Sequence, residues 1–256
     1  MAPFELLQPR SLGEALPLLD GEDARPLSGG TALMLMMKAG VLRPKRLVSL
    51  RRVGLDRIET NGSLRIGAMT TLRALEKSEV VREAWPVIAR TLRTLSNVRV
   101  RNVATVGGAL AHADPHMDLP PLLCALGARV TVEGKNGRRT IPVEELYAGY
   151  LETTLKPGEL ITAVEVPRLG KRGVAYLKCT TRSADDWPAV GVAVVLGGED
   201  RIFVSAATDR PTRIPGESAI SALKIEGDLH GSAEYKKQLL RVYLKRAIDE
   251  ARNARH

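Results

Sequence analysis

Two glycine pairs do most to restrict what this chain can fold into. The first lies in Leu27-Ser28-Gly29-Gly30-Thr31-Ala32-Leu33 and the second in Thr105-Val106-Gly107-Gly108-Ala109. Glycine opens backbone conformations and approach distances closed to other residues. The first pair separates a short strand, ARPL, from a helical run starting near Thr31. Backbone amides placed ahead of a helix suit a pyrophosphate. A single Gly-Gly turn is often only a turn, but two of the same make point to one extended ligand lined by both. Neither segment is G-x-G-x-x-G or G-x-x-x-x-G-K-[ST], so a Rossmann dinucleotide fold and a P-loop receive no support.

Just past the second pair, His112, Asp114 and His116 alternate as H-A-D-P-H. On an extended strand they would share one face, and imidazole and carboxylate are ligands for zinc or iron. Against a metal stands Pro115 inside the trio. The remaining histidines, His230 and His256, fall in polar terminal sequence. The stretch is either a metal site or a cofactor loop.

Hydrophobic periodicity divides the 256 residues into three parts. Residues 1–56 read as a small α/β unit: a helix over 11–20 capped by Ser11, the strand–glycine–helix run of 24–40, and a strand at 46–53. Residues 57–168 read as mixed α+β. They hold a strand at 63–71, helices over 72–81 and 85–95 with Thr70 or Thr71 as first cap, a helix at 119–126, and strands at 127–134, 138–143 and 156–167. Residues 169–256 give three strands, 174–182, 188–198 and 201–208. A closing helix over 232–252 carries Leu239, Val242, Tyr243 and Ala247 on its apolar face.

Composition excludes several classes. Apolar residues make up 44% and charged residues 26%, the balance of a globular chain, while 4% aromatic content disfavours a stacking platform for single-stranded nucleic acid. The net charge of +9 is scattered, without a nucleic-acid-binding signature, so no nucleic-acid partner is expected. Cys124 and Cys179 supply neither a disulfide framework nor a cluster site and read as free thiols in a reducing, cytoplasmic compartment. No apolar run is long enough to span a bilayer.

Several segments in register then narrow the field. VRVRNVATVGGALAHADPHMDLPPLLCALGA (98–128) resembles the RN-x-x-TIGG-x-x-AHADP-x-x-DLP segment of the FAD-binding medium subunits of molybdenum hydroxylases, the carbon monoxide dehydrogenase and xanthine dehydrogenase type. PLSGGTAL (26–33) is similar to that family's pyrophosphate loop. GRRTIPVEELYAGYLETTLKPGELITAVEVP (137–167), YLKCTTRSADDWPAVGVAV (176–194) and RPTRIPGESAISAL (210–223) resemble its later segments. The resemblance implies an α+β fold with two FAD-binding subdomains, 1–56 and 57–168, and a C-terminal three-stranded sheet plus helix, 169–256. The architecture so implied is vanillyl-alcohol-oxidase-like.

The resemblance also implies roles. Ser28, Gly29, Gly30, Thr31, Ala32 and Leu33 cradle the FAD pyrophosphate, with Arg25 placed to neutralise charge. Thr105, Val106, Gly107, Gly108 and Ala109 run against the isoalloxazine and ribityl chain. Ala109 stands where the family often has Ser or Asn, and His116 where it commonly has a small residue. His112, Asp114 and Asp118 lie near the sugar hydroxyls, and Asp118 is also a candidate N-cap for the 119–126 helix. Lys178 tunes the flavin as a nearby cation, Leu95 packs near the ring or simply in the core, Arg182, Asp185 and Asp186 fall on a loop that borders the ring, and Trp187 covers the flavin or takes a core place. No residue is catalytic beyond the flavin itself, and no metal is expected on this chain. Molybdenum and [2Fe–2S] centres belong to a large and a small partner subunit, in a dimer of heterotrimers. An external acceptor takes the electrons. The alternative is a stand-alone FAD oxidoreductase of related fold.

Overall fold

Strand–turn–helix alternation at the start of the chain favours a small parallel sheet. In the computed structural model, which describes residues 2–21 and 23–254, that sheet is present. β1 (Glu5–Leu7), α1 (Leu12–Leu18), β2 (Ala24–Leu27), α2 (Leu33–Lys38) and β3 (Arg46–Ser49) follow in order. The sheet order is β1-β3-β2, all parallel, which buries Leu47 and Val48 of the central strand. Ser11 caps α1 by accepting the Glu14 amide, as expected. β1 is only three residues long and shows no alternation that would mark it in sequence.

The middle of the chain opens with a hairpin, β4 (Ile58–Asn61) and β5 (Ser63–Gly67). Helices α3 (Leu72–Lys77), α4 (Glu79–Ala84), α5 (Pro86–Arg93), α6 (Val98–Arg101), α7 (Val106–His112) and α8 (Leu119–Ala125) come next. Strands β6 (Arg129–Gly134), β7 (Gly137–Pro142), the small pair β8 (Tyr147–Gly149) and β9 (Glu152–Thr153), and β10 (Leu160–Val166) complete it. The five-stranded antiparallel sheet runs β4-β5-β10-β6-β7. Leu72, Leu75, Ile88, Leu92, Leu119 and Leu122 from the helices share one core with Leu64, Ile66, Val130 and Val164 of this sheet. Thr71, of the two candidates, caps α3 through the Ala74 amide. The single helix expected over 72–81 breaks at Ser78, which ends α3 and starts α4.

The last part holds β11 (Gly173–Thr180), β12 (Pro188–Leu196), β13 (Arg201–Ser205), β14 (Thr212–Arg213) and α9 (Ala233–Asn253). It is a four-stranded antiparallel sheet, not the three-stranded one expected, because β14 is too short to carry a period. Every residue of β12 is buried, the reason PAVGVAVVL reads as one apolar run and not as an alternation. Val190, Val192 and Val194 pack with Leu240, Leu244, Ala247 and Ala251 of α9. Ala193 and Val195 face the other way, into the core that α8 shares. The inward face of α9 is therefore turned from the expected one. Leu240 and Leu244 are buried, whereas Leu239 and Tyr243 are half-buried and Val242 is exposed. Among the described residues no helix is long and apolar enough to cross a membrane.

Candidate functional site

The two glycine pairs meet. A Cβ on Gly29 would land on the Val103 carbonyl oxygen and 2.8 Å from Ala104 Cα, so only glycine allows the first turn to lie against the segment leading into α7. Ser28 and Thr105 share a short hydroxyl–hydroxyl hydrogen bond, and Ser28 Oγ also lies 3.1 Å from Met69 Sδ. A Cβ on Gly108 would come within 2.9 Å of Thr105 Oγ1 and 3.4 Å of Ser28 Oγ; one on Gly107 would meet Ala68 Cβ at 2.6 Å. Gly30 sits at φ +74, a left-handed conformation that favours glycine. The glycines thus serve close approach of chain to chain at this joint.

One expectation changes here. Thr105 to Ala109 is not a glycine turn of the same make as the first: Val106, Gly107 and Gly108 form the first turn of α7, capped by Thr105 Oγ1, which accepts the Gly108 amide at 3.1 Å. The poor helix propensity of two adjacent glycines hides the helix in sequence, although Thr105 is a good N-cap. In the first turn, Met34 and Met36 are the amides that reach back to Gly30 and Ala32 carbonyls. The amides of Gly29 to Ala32 stand ahead of that ladder, where helix geometry provides them no partner. Ser28 to Leu33 are half-buried. Arg25 is exposed and places Nη1 2.9 Å from the Ala24 carbonyl oxygen.

The H-A-D-P-H stretch is no extended strand. α7 ends at His112, Ala113 takes the left-handed conformation at φ 55, and Asp114 folds the next turn by accepting the His116 amide at 2.9 Å. Asp114 Oδ1 also lies 3.1 Å from His116 Nδ1, and His112 Nε2 stands 4.0 Å from Asp114 Oδ2. The His116 ring packs between Trp187 and His230, with centroids at 5.3 Å and 5.7 Å, and its Nε2 lies 3.6 Å from Asp228 Oδ2. His256 lies outside the described residues. Among the described residues no three of His, Cys, Asp and Glu are arranged to hold a metal ion.

A buried charge cluster sits where α8 meets β11. Asp118 Oδ1 accepts the Tyr176 hydroxyl at 2.7 Å and Oδ2 accepts Lys178 Nζ at 2.8 Å. The Lys178 ammonium also donates to the Thr94 carbonyl at 2.8 Å and the Asp186 carbonyl at 3.4 Å. Its three donors are thereby spent inside the protein, so Lys178 presents the field of an ion pair and not of a lone cation. Both side chains are nearly closed to solvent. Burial pushes the Asp118 carboxyl above the usual carboxylate range, while Lys178 and Tyr176 pull it back. Burial, then the neighbouring Asp118, push the Tyr176 phenol well above its ordinary value, which keeps it a donor. Asp118 makes no side-chain cap to α8, contrary to the second role considered for it.

Sequence reasoning missed Tyr176 and the Arg101–Glu76 pair. Arg101 Nε donates to Glu76 at 3.0 Å and its Nη1 reaches the Leu95 and Ser96 carbonyls, tying down the turn beside Thr94. The signal for Tyr176 was present: Tyr176 and Lys178 are two apart on one strand and so share a face. Leu95 is buried in the core, and Trp187 is half exposed against His116.

Comparison with known proteins follows the same lines. Residues 2–169 match the family described as the FAD binding domain in molybdopterin dehydrogenase. The carbon monoxide dehydrogenase medium chain of Hydrogenophaga pseudoflava is 33% identical over 97% of this chain and 96% of that one. The nicotine 6-hydroxylase medium subunit of Paenarthrobacter nicotinovorans is 32% identical over 95% of each. A solved chain of the Hydrogenophaga pseudoflava carbon monoxide dehydrogenase, in a form lacking the Mo-pyranopterin moiety, superposes with TM-score 0.94 at 32% identity over 99% of each chain. With an α+β architecture shared over its whole length and the family match across its glycine turns, this chain belongs to the FAD-binding domain family of the molybdopterin dehydrogenases.

Proposed function

We propose that this chain is the FAD-binding electron-transfer subunit of a multisubunit molybdenum-dependent hydroxylase or dehydrogenase. The observation that carries the reading is the joint of Ser28, Gly29, Thr105 and Gly108, which sets the turn ahead of α2 against the start of α7. The backbone amides of such a turn fit a pyrophosphate. Ser28 to Leu33 would hold it, and Thr105 to Ala109 would flank the flavin side. His112, Asp114 and Asp118 would receive sugar hydroxyls. Two oxygens give a carboxylate about four acceptor positions. Asp118 uses one on each oxygen for Tyr176 and Lys178, and keeps the others for a ligand. When bound, FAD supplies two-electron chemistry that belongs to the cofactor itself. Lys178 acts on it through the Asp118 pair, and Arg25 stands near the pyrophosphate turn.

The three larger sheets support a division into 1–56, 57–168 and 169–256. Electrons would arrive from a small subunit carrying [2Fe–2S] clusters, fed by a large molybdopterin-binding subunit, in a dimer of heterotrimers. Two cysteines leave this chain without a four-thiolate set of its own. The free thiols of Cys124 and Cys179 support a cytoplasmic location.

Co-purification of the tagged chain tests the reading. A yellow complex containing FAD, iron and molybdenum is expected. A flavin-loaded chain that turns over a substrate without partners would favour the stand-alone oxidoreductase instead.

A further inference from the structure

We infer that Tyr176 is a positioning residue for the cofactor: it holds the Asp118 carboxylate in the orientation that receives the ligand's hydroxyls, and Gly191 gives its phenol room. The inference rests on the proposed role of Asp118 in FAD binding.

Lys178 alone would leave Asp118 free to pivot about its Oδ2 contact. Tyr176 adds a second anchor, on the other oxygen, from the same face of β11 at a distance of 2.7 Å. A carboxylate held at both oxygens has one orientation, and its remaining lone pairs point in fixed directions. The phenol is a suitable anchor because it carries one proton on a rigid ring and, kept protonated by burial, can only donate to a carboxylate. Asp118 is 4% exposed, so each donor it keeps counts more than it would in water.

The neighbouring strand is shaped around that hydroxyl. Gly191 of β12 pairs with Lys178 on one side and Ser205 on the other. A Cβ there would lie 2.9 Å from the Tyr176 oxygen and 2.6 Å from Ser205 Oγ. Gly191 has no positive φ to explain it; the space does. Glycine inside a buried strand weakens that strand, and the close approach of the Ser205 hydroxyl and the phenol together accounts for its presence in an otherwise apolar run.

The experiment is a double-mutant cycle on FAD dissociation, read by flavin fluorescence with the full chain in its complex, using Tyr176→Phe, Asp118→Asn and both together. Tyr176→Phe should weaken FAD binding about tenfold or more, the size of a lost hydrogen bond to a charged group. It should also move the acid limb of FAD retention to higher pH, because Asp118 loses a donor that favours its anion. In the Asp118→Asn background the same change should cost less than about twofold, since coupled residues are not additive. Gly191→Ala should reproduce the Tyr176→Phe behaviour by displacing the phenol. Unchanged FAD affinity and acid limb in Tyr176→Phe, with Asp118→Asn impaired, overturns the inference and spares the role of Asp118. Equal effects of Tyr176→Phe in both backgrounds also overturn it, as they assign Tyr176 to the fold alone. Full FAD affinity in Asp118→Asn instead removes the reading on which the inference stands.

Discussion

The glycine joint and the Asp118 cluster lie on successive helices, α7 and α8, yet they are built on opposite principles. The joint is assembled from backbone and neutral hydroxyls, and what it requires is the absence of atoms at Gly29, Gly107 and Gly108. The cluster is assembled from buried charge, and what it requires is a complete set of partners around Asp118 and Lys178. One region therefore fails when a methyl group is added, the other when a charge is removed with no change of size. A site for a long, doubly anionic ligand can use both: a pyrophosphate needs close backbone, while sugar hydroxyls need fixed acceptors.

The largest effect should come from Lys178→Met, which keeps the volume and strands the buried carboxylate. Removing one member of such a pair costs about 3–5 kcal/mol, to be read from urea denaturation. A cost below about 1 kcal/mol would break the contrast, since exposed pairs behave that way. Gly29→Ala comes next. Its methyl group meets the Val103 backbone and not a flexible side chain, and overpacking of this kind costs about 1–3 kcal/mol. FAD uptake should fall with it. Gly13→Ala in α1 is the control, because its Cβ meets only Ser11 Oγ, at 4.0 Å, and should be neutral or stabilising in a helix.

Ser28→Ala should cost about 1 kcal/mol, the worth of a neutral hydrogen bond, and leave the joint's geometry in place. A cost equal to that of Gly29→Ala would mean that hydroxyls and not close approach hold the turns together. The smallest effect concerns pH. Hydrogen bonding to Arg139 holds the Glu159 carboxyl below its usual value. Its contribution is complete above the unfolded glutamate range near about pH 4.3 and is lost as pH falls through the lowered folded value. Asp118 has the opposite sign. With its folded value raised, its contribution is present below the unfolded range and is lost as pH rises through the folded value. Stability against pH should therefore lose part of its acid limb in Glu159→Gln, and lose a decline on rising pH in Asp118→Asn. Identical pH profiles for the two variants would contradict these assignments.

Much of this architecture was legible residue by residue. Ser11 and Thr71 announce their helices because a cap is a local event. The strand of 188–196 announces itself because both its faces are covered. Elements that depend on distant partners left little trace: β14 pairs over two residues only, and the start of α7 is written in glycines that argue for a loop. The site divided in the same way. Ser28, Thr105 and Asp118 carry chemistry in their own sequence context. The closeness of Gly29 to Val103, and of Gly191 to Tyr176, arises from packing between segments separated in the chain.

Flavin stoichiometry tests the central claim most directly. The purified chain, with its partners if they co-purify, is saturated with FAD, freed of excess, and its bound flavin measured by absorption against protein. One FAD per chain is expected, falling sharply when Gly29→Ala and Asp118→Asn are combined. No bound flavin, or full occupancy in the double variant, would contradict a site built from the joint and the cluster together.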